Sequence, residues 1–167
     1  MQEKETINLI KRAKGHDPDA FTELMQFYTK DMYRMAASIL MNDADAADAI
    51  QDTIRVCWEK IRTLREPKLF KTWMTRILIN KCYDIYNRRK RFVEMEEYEE
   101  PAAGDEYNLE WKEALAVLDE KYRTPMMLYY GLGYRTDEIA EMLHIPKSTV
   151  QTRLARGRKK LAKYYDA

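Results

Sequence analysis

Thr136-Asp-Glu-Ile-Ala-Glu-Met-Leu-His-Ile-Pro-Lys-Ser-Thr-Val-Gln-Thr-Arg-Leu-Ala-Arg-Gly-Arg-Lys-Lys-Leu-Ala-Lys163 decides how the rest of this chain is read. Ile139, Ala140 and Leu143 recur at helical spacing, with Thr136 as a cap and Asp137 and Glu138 at the positive end of the helix. A short turn containing Pro146 leads to Ser148, which opens the Ser-x-x-Gln pattern of a capping box with Gln151. The second helix then runs to about Tyr164. Two helices joined by so short a turn cross steeply and present the second outward, as in a helix-turn-helix. On that second helix Val150, Leu154 and Leu161 share one face, leaving Thr149, Gln151, Thr152, Arg153 and Arg156 free to reach a major groove.

Between Lys147 and Lys163 there are seven basic residues and no acidic one. Arg pairs bidentately with guanine, Gln with adenine, and Thr touches a thymine methyl. Lys159, Lys160 and Lys163 suit phosphates, which position a protein without specifying sequence. A solvated basic helix end explains Lys159 to Lys163, because cations favour a helix C-terminus. It does not explain Gln151, Thr152 and Arg153 near the other end. Gln151 has two readings, a base contact or the second half of the capping box. The expected duplex-reading set is Arg135, Thr136, Lys147, Ser148, Thr149, Gln151, Thr152, Arg153, Arg156 and Lys159.

Upstream, the near-neutral net charge of +1 conceals a partition. Residues 1–91 carry +5, residues 92–107 carry −7 and residues 108–167 carry +3, so two basic bodies flank an acidic strap. The strap contains Glu94, Glu96, Glu97, Glu99 and Glu100 followed by Pro101 and Gly104, and reads as a linker. Fully extended, it reaches roughly 50 Å, or about 15 base pairs of duplex. Before it, apolar periodicity predicts four helices: Lys4 to Lys14, Asp19 to Leu40, Asn42–Asp43 to Thr63, and Glu66–Pro67 to Arg91. After it come a helix around Trp111 to Leu118, one from Pro125 to Tyr130, and the two of the helix-turn-helix. The expected fold is all-α: two small helical domains, 1–91 and 108–167, joined by the acidic linker 92–107.

Five glycines and five prolines in 167 residues favour helices over a turn-rich β fold. Cys57 and Cys82 sit in apolar helical patterns and read as buried free thiols. No stretch approaches the ~20 apolar residues of a membrane span, and Met1 to Lys14 lacks a secretory apolar core. The expectation is a cytoplasmic chain without membrane insertion. Gly157, inside the second helix, costs about 1 kcal/mol relative to Ala and reads as a close approach to a backbone or as a bend, while the glycine-rich Tyr129–Tyr134 has no account at this level.

The chain resembles the group 4, or extracytoplasmic-function, sigma factors along almost its whole length. The stretch from Thr136 to Leu161 looks like the family's domain 4, with its helix-turn-helix. Asp45-Ala-Ala-Asp-Ala-Ile-Gln-Asp52 looks like its core-binding segment. Phe70-Lys-Thr-Trp73 with Ile77, Asn80, Asp84 and Arg88-Arg-Lys-Arg91 looks like its promoter-melting segment. The resemblance implies a sigma-2-like four-helix domain and a sigma-4-like domain. It implies binding to core RNA polymerase, through the β′ clamp coiled coil and the β flap, and to promoter DNA, with an anti-sigma factor as a further partner. Asp45, Asp48, Gln51, Asp52 and Arg55 are the implied polymerase-binding set, with Asp52 a shortened version of a frequent Glu.

Arg65, Lys68, Trp73, Arg76, Asn80, Asp84, Arg88, Arg89 and Arg91 are the implied −10 set. There one non-template base is flipped into a pocket of the Arg62–Leu69 loop. Trp73 reads as a core anchor or, alternatively, a stacking platform. The acidic linker is expected to thread toward the polymerase cleft. No catalytic residue, metal ligand or cofactor is expected. The competing readings are a stand-alone helix-turn-helix regulator, which binds duplex without polymerase, and a metal-dependent nuclease built on Asp48 and Asp52.

Overall fold

The computed structural model describes residues 2–92 and 109–166, and every regular element among them is helical. Before the undescribed stretch lie α1 (Glu3–Lys14), α2 (Pro18–Leu40), α3 (Asp43–Lys60) and α4 (Phe70–Phe92). After it lie α5 (Leu109–Ala116), α6 (Glu120–Met126), α7 (Thr136–Leu143) and α8 (Lys147–Asp166). Apart from Phe92, which ends α4, the expected linker and its role lie outside the described residues.

The helix starts follow from side-chain chemistry. The Asp17 carboxylate accepts from the amides of Asp19 (3.1 Å) and Ala20 (3.2 Å), and Pro18 occupies the first turn of α2. These amide bonds, with the Arg12 guanidinium 2.8 Å away, hold the Asp17 carboxyl below its ordinary pKa. Asn42 caps α3 by accepting from the Asp45 amide at 2.9 Å. Three-residue 3₁₀ turns, Ile61–Thr63 and Pro67–Leu69, carry the chain from α3 into α4. Leu24, Met32, Met35 and Ile39 of α2, Ala46, Ala49 and Cys57 of α3, and Phe70, Met74, Leu78 and Cys82 of α4 form the first core. Both cysteines are free thiols buried in it, as expected, and burial pushes each pKa up to about 12.

Three expectations after the linker are corrected. α6 starts at Glu120, so Pro125 lies inside the helix and not at its first turn. Thr136 is the first residue of α7, not its cap; the cap position is Arg135, whose amide donates to the Glu138 carboxylate at 3.0 Å. α8 begins at Lys147, and the Pro146 carbonyl accepts from Thr149 (3.0 Å) and Val150 (3.2 Å). Ser148 is thus within the first turn, which removes the capping box and leaves Gln151 exposed.

The glycines acquire physical reasons. After α6 the chain widens into a π turn, Met127–Gly131, with the Leu132 amide bonded to the Met127 carbonyl at 3.0 Å. The Tyr134 amide then reaches the Leu128 carbonyl at 2.9 Å. A Cβ on Gly131 would sit 2.2 Å from the Met127 sulfur, and Gly133 has φ +77°, a left-handed conformation that costs glycine least. This turn lays Leu132 and Tyr134 against α4. Gly157 of α8 is buried, and a Cβ there would meet Met126 at 3.1 Å, so its absence lets α8 lie close on α6.

The two helical groups are tied together by buried and half-buried polar bonds. Arg123 donates to the carbonyls of Ser38 (Nε, 2.7 Å) and Ile39 (Nη2, 3.2 Å) at the end of α2, and to its neighbour Leu118 (2.6 Å). α2 has no basic residue in its last turn, so Arg123 supplies from α6 the cation that a helix C-terminus favours. The Tyr83 hydroxyl bonds to the Glu120 carboxylate and, at 2.9 Å, to Thr124. Burial, with the Glu120 carboxylate beside it, pushes the Tyr83 pKa well above the usual phenol range. Buried Lys112 reaches the Tyr33 hydroxyl and lies 3.5 Å from the Asp43 carboxylate. Lys71 donates to the Leu132 carbonyl at 3.1 Å, and the hydroxyls of Thr75 and Tyr134 share a bond of 3.1 Å.

Candidate nucleic-acid interface

α7 and α8 form the helix-turn-helix. Ile139 and Met142 of α7 and Val150 and Leu154 of α8 are buried, which fixes the crossing and sets the opposite face of α8 outward. His144 ends α7 in the left-handed conformation, φ 56°, and its amide bonds to the Ala140 carbonyl. Along the outer face Lys147, Ser148, Gln151, Thr152, Arg156 and Lys159 are exposed, while Thr149 and Arg153 are half-buried. The Thr152 hydroxyl is turned back onto the Ser148 carbonyl at 2.9 Å. Arg135 is occupied by Asp137, 3.2 Å away, and by Glu138; these carboxylates raise the Arg135 pKa, and the Arg135 guanidinium in turn lowers that of Asp137. A recess of about 300 Å³ opens beside α8, lined by Lys121, Tyr122, Ser148, Thr149, Thr152, Arg153 and Arg156. Lys121 carries no signal in the sequence, because it precedes the helix-turn-helix by a whole element and belongs to no motif.

On α4 the expected polar track divides. Asn80, Asp84, Arg88 and Arg91 are exposed, and Arg88 bonds back to the Asp84 carbonyl at 3.3 Å. Arg76 instead pairs with Glu141 of α7 at 3.1 Å, and its Nε is buried with no hydrogen-bond partner. Trp73 is half-buried, its ring tilted 5.8 Å from that of Phe70, so it contributes to the core and keeps an open side. Arg65 and Lys68, on the loop before α4, are exposed.

On α3, Asp48, Gln51 and Asp52 are exposed on one stripe, and Arg55 bridges Asp52 (3.8 Å) and Glu59 (3.2 Å). Asp45 is different: it is buried and ion-paired to Arg89 of α4 at 2.5 Å, joining one residue of the expected polymerase set to one of the expected −10 set. Asp45, Asp48, Gln51, Asp52, Ile85, Arg88 and Arg89 line an open recess of about 530 Å³. Among the described residues no three His, Cys, Asp or Glu gather as a metal would require, and no helix is long and apolar enough to cross a membrane.

The family model for sigma-70 region 2 matches residues 24–92, and that for sigma-70 region 4 matches residues 108–161. RNA polymerase sigma factor SigV of Bacillus subtilis is 31% identical over 137 residues, covering 79% of this chain and 82% of SigV. ECF RNA polymerase sigma factor SigW of the same organism is 28% identical over 174 residues, covering 92% of this chain and 93% of SigW. The solved structure of CnrH in complex with the cytosolic domain of CnrY superposes with a TM-score of 0.72 at 26% identity, covering 97% of both chains. These relatives carry the sigma-factor reading and not that of a stand-alone regulator. With a region-2 helical group, a region-4 helix-turn-helix and relatives of this kind, the chain belongs to the extracytoplasmic-function sigma factors of the sigma-70 family.

Proposed function

We propose that this sigma factor binds core RNA polymerase through α3 and reads the promoter at two places, the −35 element as duplex along α8 and the −10 element along α4. The observation that carries the reading is the outward face of α8, where hydroxyl, amide and guanidinium side chains stand exposed without an intervening carboxylate. Gln151, Thr152, Arg153 and Arg156 read base edges, and Lys147, Ser148, Thr149 and Lys159 hold the backbone. Asp48, Gln51 and Asp52 dock on the β′ clamp, with Asp45 acting through its pair with Arg89. Arg65, Lys68, Asn80, Asp84, Arg88 and Arg91 grip the −10 strand, and Trp73 offers it the open side of its ring.

Arg76 joins that grip only after leaving Glu141, so promoter engagement includes a parting of the two domains. The domain limits are 1–91 and 108–167, with the acidic stretch between them as the tether. The chain works in the cytoplasm, without catalysis of its own, and an anti-sigma factor restrains it; that CnrH was solved with the cytosolic domain of CnrY supports a protein partner of this kind.

Run-off transcription with bacterial core polymerase over a genomic promoter library tests this. The expected result is a set of transcripts that require the chain and vanish for Asp48→Ala/Asp52→Ala. No chain-dependent transcript, or high-affinity specific duplex binding by the chain without polymerase, would overturn it.

A further inference from the structure

We propose that Lys121, on α6 and outside the helix-turn-helix, forms a DNA-backbone phosphate site with Ser148 and Thr149, on the flank of the helix whose Arg153 and Arg156 read base edges. The proposal rests on the reading of α8 as the −35 helix and adds to it a positioning contact from another element. Lys121, Ser148 and Thr149 converge with Thr152, Arg153 and Arg156 on one recess of about 300 Å³, whose lining holds three cationic side chains, three aliphatic hydroxyls, the Tyr122 phenol and no carboxylate. Such a lining offers positive charge and hydrogen-bond donors to an anion.

The floor of the recess is a packed aromatic ring. Tyr122 is buried, at 6% exposure, and its ring lies beneath two ammonium groups, Lys121 Nζ at 5.1 Å and Lys160 Nζ at 5.6 Å from its centre. These cation–π contacts hold the Lys121 stem over the recess without neutralising its charge. The neighbouring carboxylate, Glu120, points elsewhere, since successive helix positions diverge by about 100° and it is bonded to Tyr83. Among the described residues no carboxylate is paired with Lys121.

Position distinguishes phosphate from base. The recess lies between α6 and the N-terminal half of α8, on the flank of the helix. When a recognition helix enters the major groove, its tip meets base edges and its flanks pass the sugar–phosphate walls. A Lys ammonium is a point charge with no planar fork, suited to holding a phosphate and unsuited to telling one base from another. Lys121 is therefore a positioning residue: it sets how deeply and at what angle α8 sits.

The test uses the full chain assembled with bacterial core polymerase. The probe is a −35 duplex selected by that holoenzyme from a randomised pool, beside a scrambled duplex, and binding is followed by anisotropy across a salt series. Lys121→Gln is expected to weaken both duplexes by the same factor, about three- to tenfold, and to reduce the slope of log K against log salt by about 0.9. Lys121→Arg keeps the slope. Arg156→Gln weakens the selected duplex more than the scrambled one. Methylphosphonates placed singly along the duplex should reveal one position that costs the unaltered chain affinity and leaves Lys121→Gln indifferent. An unchanged slope and an unchanged methylphosphonate profile in Lys121→Gln, while Arg156→Gln still weakens binding, would refute the Lys121 site and leave the −35 reading standing. If neither variant alters binding, the −35 reading fails and the site falls with it.

Discussion

Arg123→Gln should open the two domains. The guanidinium of Arg123 makes two bonds across the boundary, to the Ser38 and Ile39 carbonyls, and one within its own domain, to Leu118. The two crossing bonds satisfy carbonyls that α2 cannot satisfy itself, since among its last-turn groups the Ala37 carbonyl is taken by the Met41 amide at 2.8 Å. A hydrogen bond from a charged donor contributes about 1.5–3 kcal/mol. Against this, the carbonyls regain water when the domains part, and burial disfavours the charge, lowering the Arg123 pKa. A net cost of about 2–3 kcal/mol follows for the pair of crossing bonds, which multiplies the open-to-closed ratio about 30- to 150-fold.

The assay is intramolecular energy transfer between dyes on Lys11→Cys and Ala162→Cys, both at exposed positions. Cys57 and Cys82 stay unlabelled because burial keeps them as thiols. Arg123→Gln should move the distribution toward low transfer, and Arg123→Lys, which keeps the charge and loses the fork, should fall between. Loss of the Leu118 bond lowers the melting temperature of the second domain either way, so only the transfer distribution isolates the crossing bonds. A distribution identical to that of the unaltered chain would refute the assignment of Arg123 as the latch.

Other predictions test separate parts of the structure. Gly157→Val should destabilise the α6–α8 packing by about 1–3 kcal/mol through overpacking against Met126. Gly157→Ala should be near neutral, because the end of a Met side chain can yield and Ala favours helix; thermal melts of both check this. Stability should decline as pH rises above about 9, because Cys57, Cys82 and Tyr28 have folded pKa values raised to about 12. The sign is that the unfolded chain releases these protons first, so their contribution is complete below the unfolded pKa values and is lost as pH climbs through the folded ones. Urea melts from pH 8 to 11, with tyrosinate absorbance alongside, measure it. Asp48→Ala and Asp52→Ala should leave the folding free energy within about 0.5 kcal/mol of the unaltered chain while weakening polymerase binding in a pull-down with core enzyme; lost folding would place these side chains in the structure instead.

The positions of most helices follow from local chemistry, and for that reason they were legible in the chain itself. Periodic apolar residues such as Leu24, Met32 and Met35 identify a helix face, and Asn42 starts a helix with an amide three residues away. The helix-turn-helix is of the same kind, since Val150 and Leu154 inward imply Gln151 and Arg156 outward. Errors occurred where a local rule had a competitor. Pro125 suits a first turn, yet α6 begins at Glu120, where Tyr83 holds the Glu120 carboxylate from across the domain boundary.

What only the tertiary structure decided are the pairings between residues far apart in the chain. Arg123 with Ser38, Tyr83 with Thr124, Thr75 with Tyr134 and Arg76 with Glu141 join residues 41 or more positions apart, and no spacing rule connects them. The same holds for Lys121, an ordinary surface lysine in the sequence that packing brings beside Arg153 and Arg156, and for Gly157, whose reason is Met126 on another helix. Helical period and capping act over about four residues and are written into neighbouring positions. The closed arrangement of the two helical groups is set by charges and buried carbonyls that meet only once the helices have packed.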